Sequence, residues 1–120
     1  MDLETLRAYL LEHPATSEGF PFGGEVLVFK VLDKMFALIP LETLPLRINL
    51  KCDPVLAIQL REEYDAVEPG FHQNKKHWNT MFLDGRLSDD FVKKWVDHSY
   101  ERVVSGMTKK RQKELSQFSE

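Results

Sequence analysis

The chain holds 120 residues, 42% hydrophobic and 29% charged, with a formal net charge of −3 at pH 7. Such a length supports one core without staples, burying roughly two thirds of the unfolded surface, and the composition excludes intrinsic disorder. The single cysteine, Cys52, excludes an internal disulfide, and a lone thiol fits a reducing compartment.

Residues 2–12 read as a helix capped by Asp2, with Leu3, Leu6 and Leu10 at helical spacing and Pro14 ending it. The pattern then changes to period two. A weak strand is predicted near 18–22, a turn at Gly23-Gly24, and a strong strand over 25–32 with Leu27, Phe29 and Val31 on one face. Asp33-Lys34 is short enough for a tight hairpin into Met35–Pro40. Residues 46–52 alternate strictly, with Leu46, Ile48, Leu50 and Cys52 on one side and Arg47, Asn49 and Lys51 on the other. That spacing predicts a strand with one buried and one wet face.

Asp53-Pro54 opens a second helix, a capping residue followed by proline at the first helical position, with Leu56, Leu60 and Tyr64 as its stripe. Residues 69–76 read as a loop, 77–83 as a strand, and Asp84-Gly85 as its turn. Ser88 caps a long helix to about Val104, with Asp89 and Asp90 favouring its dipole and Leu87 stapled to Val92. Phe91, Trp95 and His98 or Ser99 make its stripe. Gly106 stops it, and Thr108 starts a short helix before the chain's last residues. Strands joined by short turns, with helices gathered mostly at the two ends, predict an α+β two-layer sandwich. Its antiparallel sheet has about five strands and helices on one side.

The acidic N-terminus, Met-Asp-Leu-Glu, is unlike a signal peptide, and no apolar run approaches the ~20 residues of a membrane span. The expected location is the cytoplasm, with no membrane partner. Charge is distributed unevenly. Arg7 stands against Asp2, Glu4, Glu12, Glu18 and Glu25 in the first 25 residues. Lys93, Lys94, Arg102, Lys109, Lys110, Arg111 and Lys113 outnumber Asp97 and Glu101 near the other end. A basic patch can therefore exist on an acidic chain, although a charged, solvated helix end explains the same residues.

Catalytic patterns are mostly missing. Gly23-Gly24 lies between strands and is no phosphate loop. Asp97-His98-Ser99 holds three triad residue types, but neighbours on one helix point in different directions, so a structural role is expected. Cys52 ends an alternating strand on its apolar side and is expected to be buried and inert. His13, His72 and His77 are too scattered for a metal site, and Glu62, Glu63 and Asp65 read as a solvated helix face. No catalytic centre, metal or cofactor is expected. Asn74-Lys75-Lys76-His77-Trp78-Asn79-Thr80 is different. It sets cations, a histidine, an aromatic and amides where a loop enters a strand, as phosphate contact and base stacking require. The alternative is a buried Trp78 anchoring the sheet with the lysines in water, and strand aromatics favour it.

The run from Asn74 to Gly85, followed by Leu87-Ser88-Asp89 and Asp97-His98-Ser99-Tyr100, resembles the signature of the MmcQ/YjbR family. Val28-Phe29-Lys30-Val31 with Lys34-Met35-Phe36-Ala37, Leu50-Lys51-Cys52-Asp53-Pro54, and Val67-Glu68-Pro69-Gly70 resemble further parts of it. The resemblance covers about residues 3 to 115. It implies a CyaY-like, or "double wing", α+β domain and a DNA-binding label that rests on fold analogy. It maps the family signature onto Asn74, Lys75, His77, Trp78, Thr80, Asp84 and Gly85. Gly85 and Asp84 have turn roles. Asn74, Lys75 and His77 lack an evident folding role and become the leading surface candidates.

Two functions are weighed. In the first, Arg47, Asn49 and Lys51 on the sheet, Lys75, Lys76 and His77 on the loop, and Lys109, Lys110 and Arg111 near the end contact DNA weakly and with strong salt dependence. In the second, the domain is an adaptor for a protein or small ligand, as a monomer or homodimer, which suits the acidic balance better.

Overall fold

The computed structural model describes residues 1–70 and 73–119. The first helix, α1 (Leu3–Leu11), starts where Asp2 accepts the Thr5 N–H at 2.8 Å. Three strands follow: β1 (Thr16–Gly19), β2 (Val26–Val31) and β3 (Lys34–Pro40). After β4 (Arg47–Lys51), the chain makes α2 (Pro54–Glu63), where Asp53 accepts from Val55 and Leu56 N–H. Next come β5 (Val67–Pro69), β6 (Trp78–Phe82), α3 (Asp89–Ser105), capped by Ser88, and α4 (Lys109–Ser116), capped by Thr108. A 3-10 turn at Gln117–Ser119 closes the described chain.

The strands form one antiparallel sheet in the order β1-β2-β3-β4-β6-β5. The expected α+β architecture is there, with six strands where about five were expected. The added strand, β5, is three residues long and includes Pro69, which reads as loop. Pro69 is tolerated because an edge strand can spare one N–H. The first strand lies two residues earlier than expected, because Thr16 to Gly19 pair with Val31 to Val28. Phe20 and Phe22 therefore sit in the loop, 48% and 64% exposed. The β2–β3 turn is Leu32-Asp33, with Leu32 at φ 56°, since Val31 pairs directly with Lys34.

One face of the sheet is covered. Leu27, Phe29 and Val31 from β2 and Ile48 and Leu50 from β4 join Leu6, Leu10, Leu60, Val92 and Val96 from the helices in one core. Each such side chain contributes about 1.5–3 kcal/mol on burial. Register slips between β2 and β3 at Phe36, so Phe36 and Ala37 both join this core while Met35 and Leu38 go to the other face. The opposite face carries a small second cluster, Val28, Leu38 and Trp78, flanked by Val26 and Met35. The predicted α2 stripe of Leu56, Leu60 and Tyr64 is modified: Ala57 and Leu60 are buried, and the other two are half-buried.

Candidate functional site

The loop entering β6 is held by backbone and by one arginine. Gly70 donates to the Trp78 carbonyl at 2.9 Å, and a Cβ on Gly70 would lie 2.7 Å from the Trp78 Cβ, so only glycine fits. Asn74 Oδ1 accepts the Lys76 N–H at 2.9 Å, and its carbonyl accepts the His77 N–H at 3.1 Å. This is an Asx-type turn, so Asn74 does have a folding role, contrary to expectation. Arg61 of α2 donates through Nε to Asn79 Oδ1 at 2.7 Å and through Nη2 to the carbonyls of Lys75 and Trp78. Asn79 is fully buried and donates to the Ala57 carbonyl. Arg61 is the organising residue that the sequence did not disclose; a basic residue in the last turn of a helix carries no sign of its partners.

His77 is half-buried, its carbonyl accepts from Cys52, and its Nδ1 is buried without a partner among the described residues. Trp78 is 8% exposed, so it anchors the sheet and offers no stacking surface. Asp84 accepts from the Arg86 backbone and side chain, and that guanidinium holds its carboxyl below the usual range, while Gly85 turns at φ 97°. Both turn roles are as expected. His72, considered as a ligand in sequence, lies outside the described residues.

The face that carries no helix among the described residues, the uncovered face, is buried at its centre, at Val28, Leu38, Asn49, Thr80 and Trp78, and its charged residues divide by register. Lys51 stands opposite Trp78, and Lys30 stands opposite Met35. Both alternate with core residues and so point away from the helices. Lys75 and Lys76 are exposed on the loop beside that end. None of these four lysines has a carboxylate partner among the described residues.

Two to four residues along β4 from Lys51, about 7–13 Å away, the surface becomes concave. A cavity of about 620 Å³ lies over Val26, Leu38 and Pro40, with Arg47 and Asn49 on its wall. The Arg47 guanidinium sits 4.6 Å from the Phe82 ring centroid and donates to the carbonyls of Leu44 and Pro45. It has no carboxylate partner among the described residues. Asn49, expected on a wet face, is 6% exposed; the Thr80 hydroxyl bonds its Oδ1, as their positions opposite one another allow. Its Nδ2 has no hydrogen-bond partner among the described residues.

The remaining candidates lie in the helix layer. Lys109 and Lys110 are exposed on α4. Arg111 bonds Asp33 at 2.6 Å and Glu114 at 3.0 Å, so its charge is matched within the fold, and it holds the Asp33 carboxyl below its usual range. Asp97, His98 and Ser99 separate as expected. Asp97 receives Tyr9 and His13, His98 Nε2 accepts the Asp53 N–H, and Ser99 accepts from Lys51 N–H while donating to the Phe36 carbonyl at 2.5 Å. Burial lowers the His98 pKa and pushes the Cys52 thiol up to about 11, in keeping with an inert, buried cysteine. No helix among the described residues is long and apolar enough to cross a membrane.

The YjbR family model matches residues 11–102. The uncharacterized protein YbdF of Escherichia coli O157:H7 is 35% identical over 113 residues, covering 93% of this chain and 92% of that protein. The uncharacterized protein YjbR of Escherichia coli strain K12 is 33% identical over 119 residues, covering 98% and 100%. Among solved structures, a Deinococcus radiodurans protein with domain DUF419 superposes with TM-score 0.88 at 41% identity, covering 95% of this chain and 87% of that one. A Pseudomonas syringae protein superposes with TM-score 0.73 at 26% identity, covering 85% and 98%. This chain belongs to the YjbR family.

Proposed function

We propose that this YjbR-family chain is a non-catalytic binding module that holds nucleic acid on its uncovered sheet face through phosphate contacts. The carrying observation is the set of four lysines, Lys30, Lys51, Lys75 and Lys76, gathered at one end of that face without carboxylate partners. Ammonium groups left unpaired beside a sheet are suited to a phosphate backbone, and such contacts position a strand without reading it. Phe20 and Phe22, exposed on the loop at the other end, add apolar rings on which unpaired bases can stack. Duplex bases do not offer those faces, so single strands are the preferred ligand. Lys109 and Lys110 lie in the helix layer and are secondary, and Arg111 is already engaged.

The test is fluorescence anisotropy of labelled single-stranded and duplex DNA over a salt series. Single strands should bind tighter than duplexes. Replacing the four lysines by alanine should flatten the salt slope by roughly 0.7 per lost phosphate contact. An unchanged slope and affinity in that variant would refute the lysine site. The same exposed Phe20 and Phe22, with Leu44 at 88% exposure, favour a second reading, an adaptor that meets a protein or another copy of itself. A stable dimer by light scattering with no affinity for any strand would select that reading.

A further inference from the structure

We infer that the cavity at the loop end of the uncovered face is a base pocket, and that the base it takes best is guanine. The inference rests on the nucleic-acid reading above and adds what the lysines cannot supply, a preference among bases. Its volume, about 620 Å³, lies in the range of small-ligand sites. Its floor is Val26, Leu38 and Pro40, and Phe22 stands at its rim, 64% exposed. These surfaces suit the two faces of a flat ring.

The polar lining is Glu25, Glu42, Thr43, Arg47, Asn49 and Gln73, and its charged members decide which ring. Glu25 and Glu42 at the rim outnumber Arg47, so the lining is net negative and disfavours an anionic headgroup inside. Neither glutamate has an ion-pair partner among the described residues. A carboxylate accepts two adjacent N–H donors, the pattern that guanine presents on its Watson–Crick edge. The Asn49 Nδ2 and the Arg47 guanidinium are left-over donors, and a purine's carbonyl and ring nitrogen are acceptors. Arg47 is braced by the Phe82 ring and two backbone carbonyls, so its position is set before a ligand arrives. Lys51 lies two to four residues, roughly 7–13 Å, along β4 from Asn49 and Arg47, and phosphates of the same strand can reach the lysines while the base is seated.

The ring could belong to a strand or to a free nucleotide, and both are tested. Affinities of the intact chain are measured for oligothymidylate, for the same strand with one central guanine, and for guanosine 5′-monophosphate. The expected result is about tenfold tighter binding of the guanine strand, lost in the Glu25→Gln, Glu42→Gln double variant with oligothymidylate affinity not reduced, while Phe22→Ala weakens both strands and removes the difference between them. These three residues are exposed, so the variants should fold; circular dichroism checks this. Equal affinity for both strands would overturn the pocket and leave the lysine reading standing. Binding of the mononucleotide alone, abolished by Phe22→Ala, would keep the pocket and refute the strand. A Phe22→Ala variant that changes oligomeric state and not base preference would overturn the pocket in favour of a contact between copies.

Discussion

The two faces of the sheet use their polar groups differently. On the covered face the buried side chains of Ser99 and Asn79 are spent on the fold: Ser99 bridges Lys51 and Phe36, and Asn79 joins Arg61 to Ala57. On the uncovered face capacity is left over. Lys30, Lys51, Lys75 and Lys76 have no carboxylates, Arg47 has only carbonyls and a ring, and Asn49 uses Oδ1 alone. Groups that are satisfied inside a protein explain its stability, and groups that are held but unsatisfied at its surface are where a ligand is to be sought.

That contrast can be broken by substitution. The largest stability effect is expected on the covered side. Ser99→Ala leaves the Lys51 N–H and Phe36 carbonyl without their shared partner, and should cost about 2–3 kcal/mol in denaturant unfolding, with nucleic-acid affinity of the folded chain unchanged. Arg61→Ala comes next, at about 2 kcal/mol. Because Arg61 also orders the backbone of Lys75 and Trp78, it should be the one covered-side change that weakens strand binding as well. Arg111→Ala removes a half-exposed ion pair and should cost less than about 1 kcal/mol, with no change in affinity.

The finest test is pH. His98 accepts the Asp53 N–H through a ring nitrogen that must be unprotonated, and burial lowers its pKa below the usual 6.5. The unfolded chain therefore takes up the proton first as pH falls. The stability from neutral His98 is present above about pH 6.5 and drains below it. Urea midpoints taken from pH 7.5 to 5 should decline, and His98→Gln should remove that share of the decline.

Much of the fold is legible because its rules are local. Asp2, Asp53, Ser88 and Thr108 cap the helices they precede, and the alternation of Leu46 to Cys52 gives β4. What escapes is set by tertiary partners. β5 is too short and holds a proline; Asn49 looks wet until Thr80 comes opposite; Trp78 is buried, with the Gly70 backbone close against it. Of the candidate site, Lys51, Lys75 and Lys76 are legible as surface cations. Lys30 joins them only through strand pairing, and the cavity exists only once the loops at the far end come together with β2, β3 and β4. Arg111 reads as free until Asp33 is placed beside it.

The most direct measurement is an amide NMR titration of the isotope-labelled chain with a short mixed-sequence single strand at low salt. Shifts are expected at Lys30, Lys51, Lys75 and Lys76, with still resonances along α3 and α4. Shifts confined to Lys93, Lys94, Lys109 and Lys110, or none at all, would contradict the assignment of binding to the uncovered face.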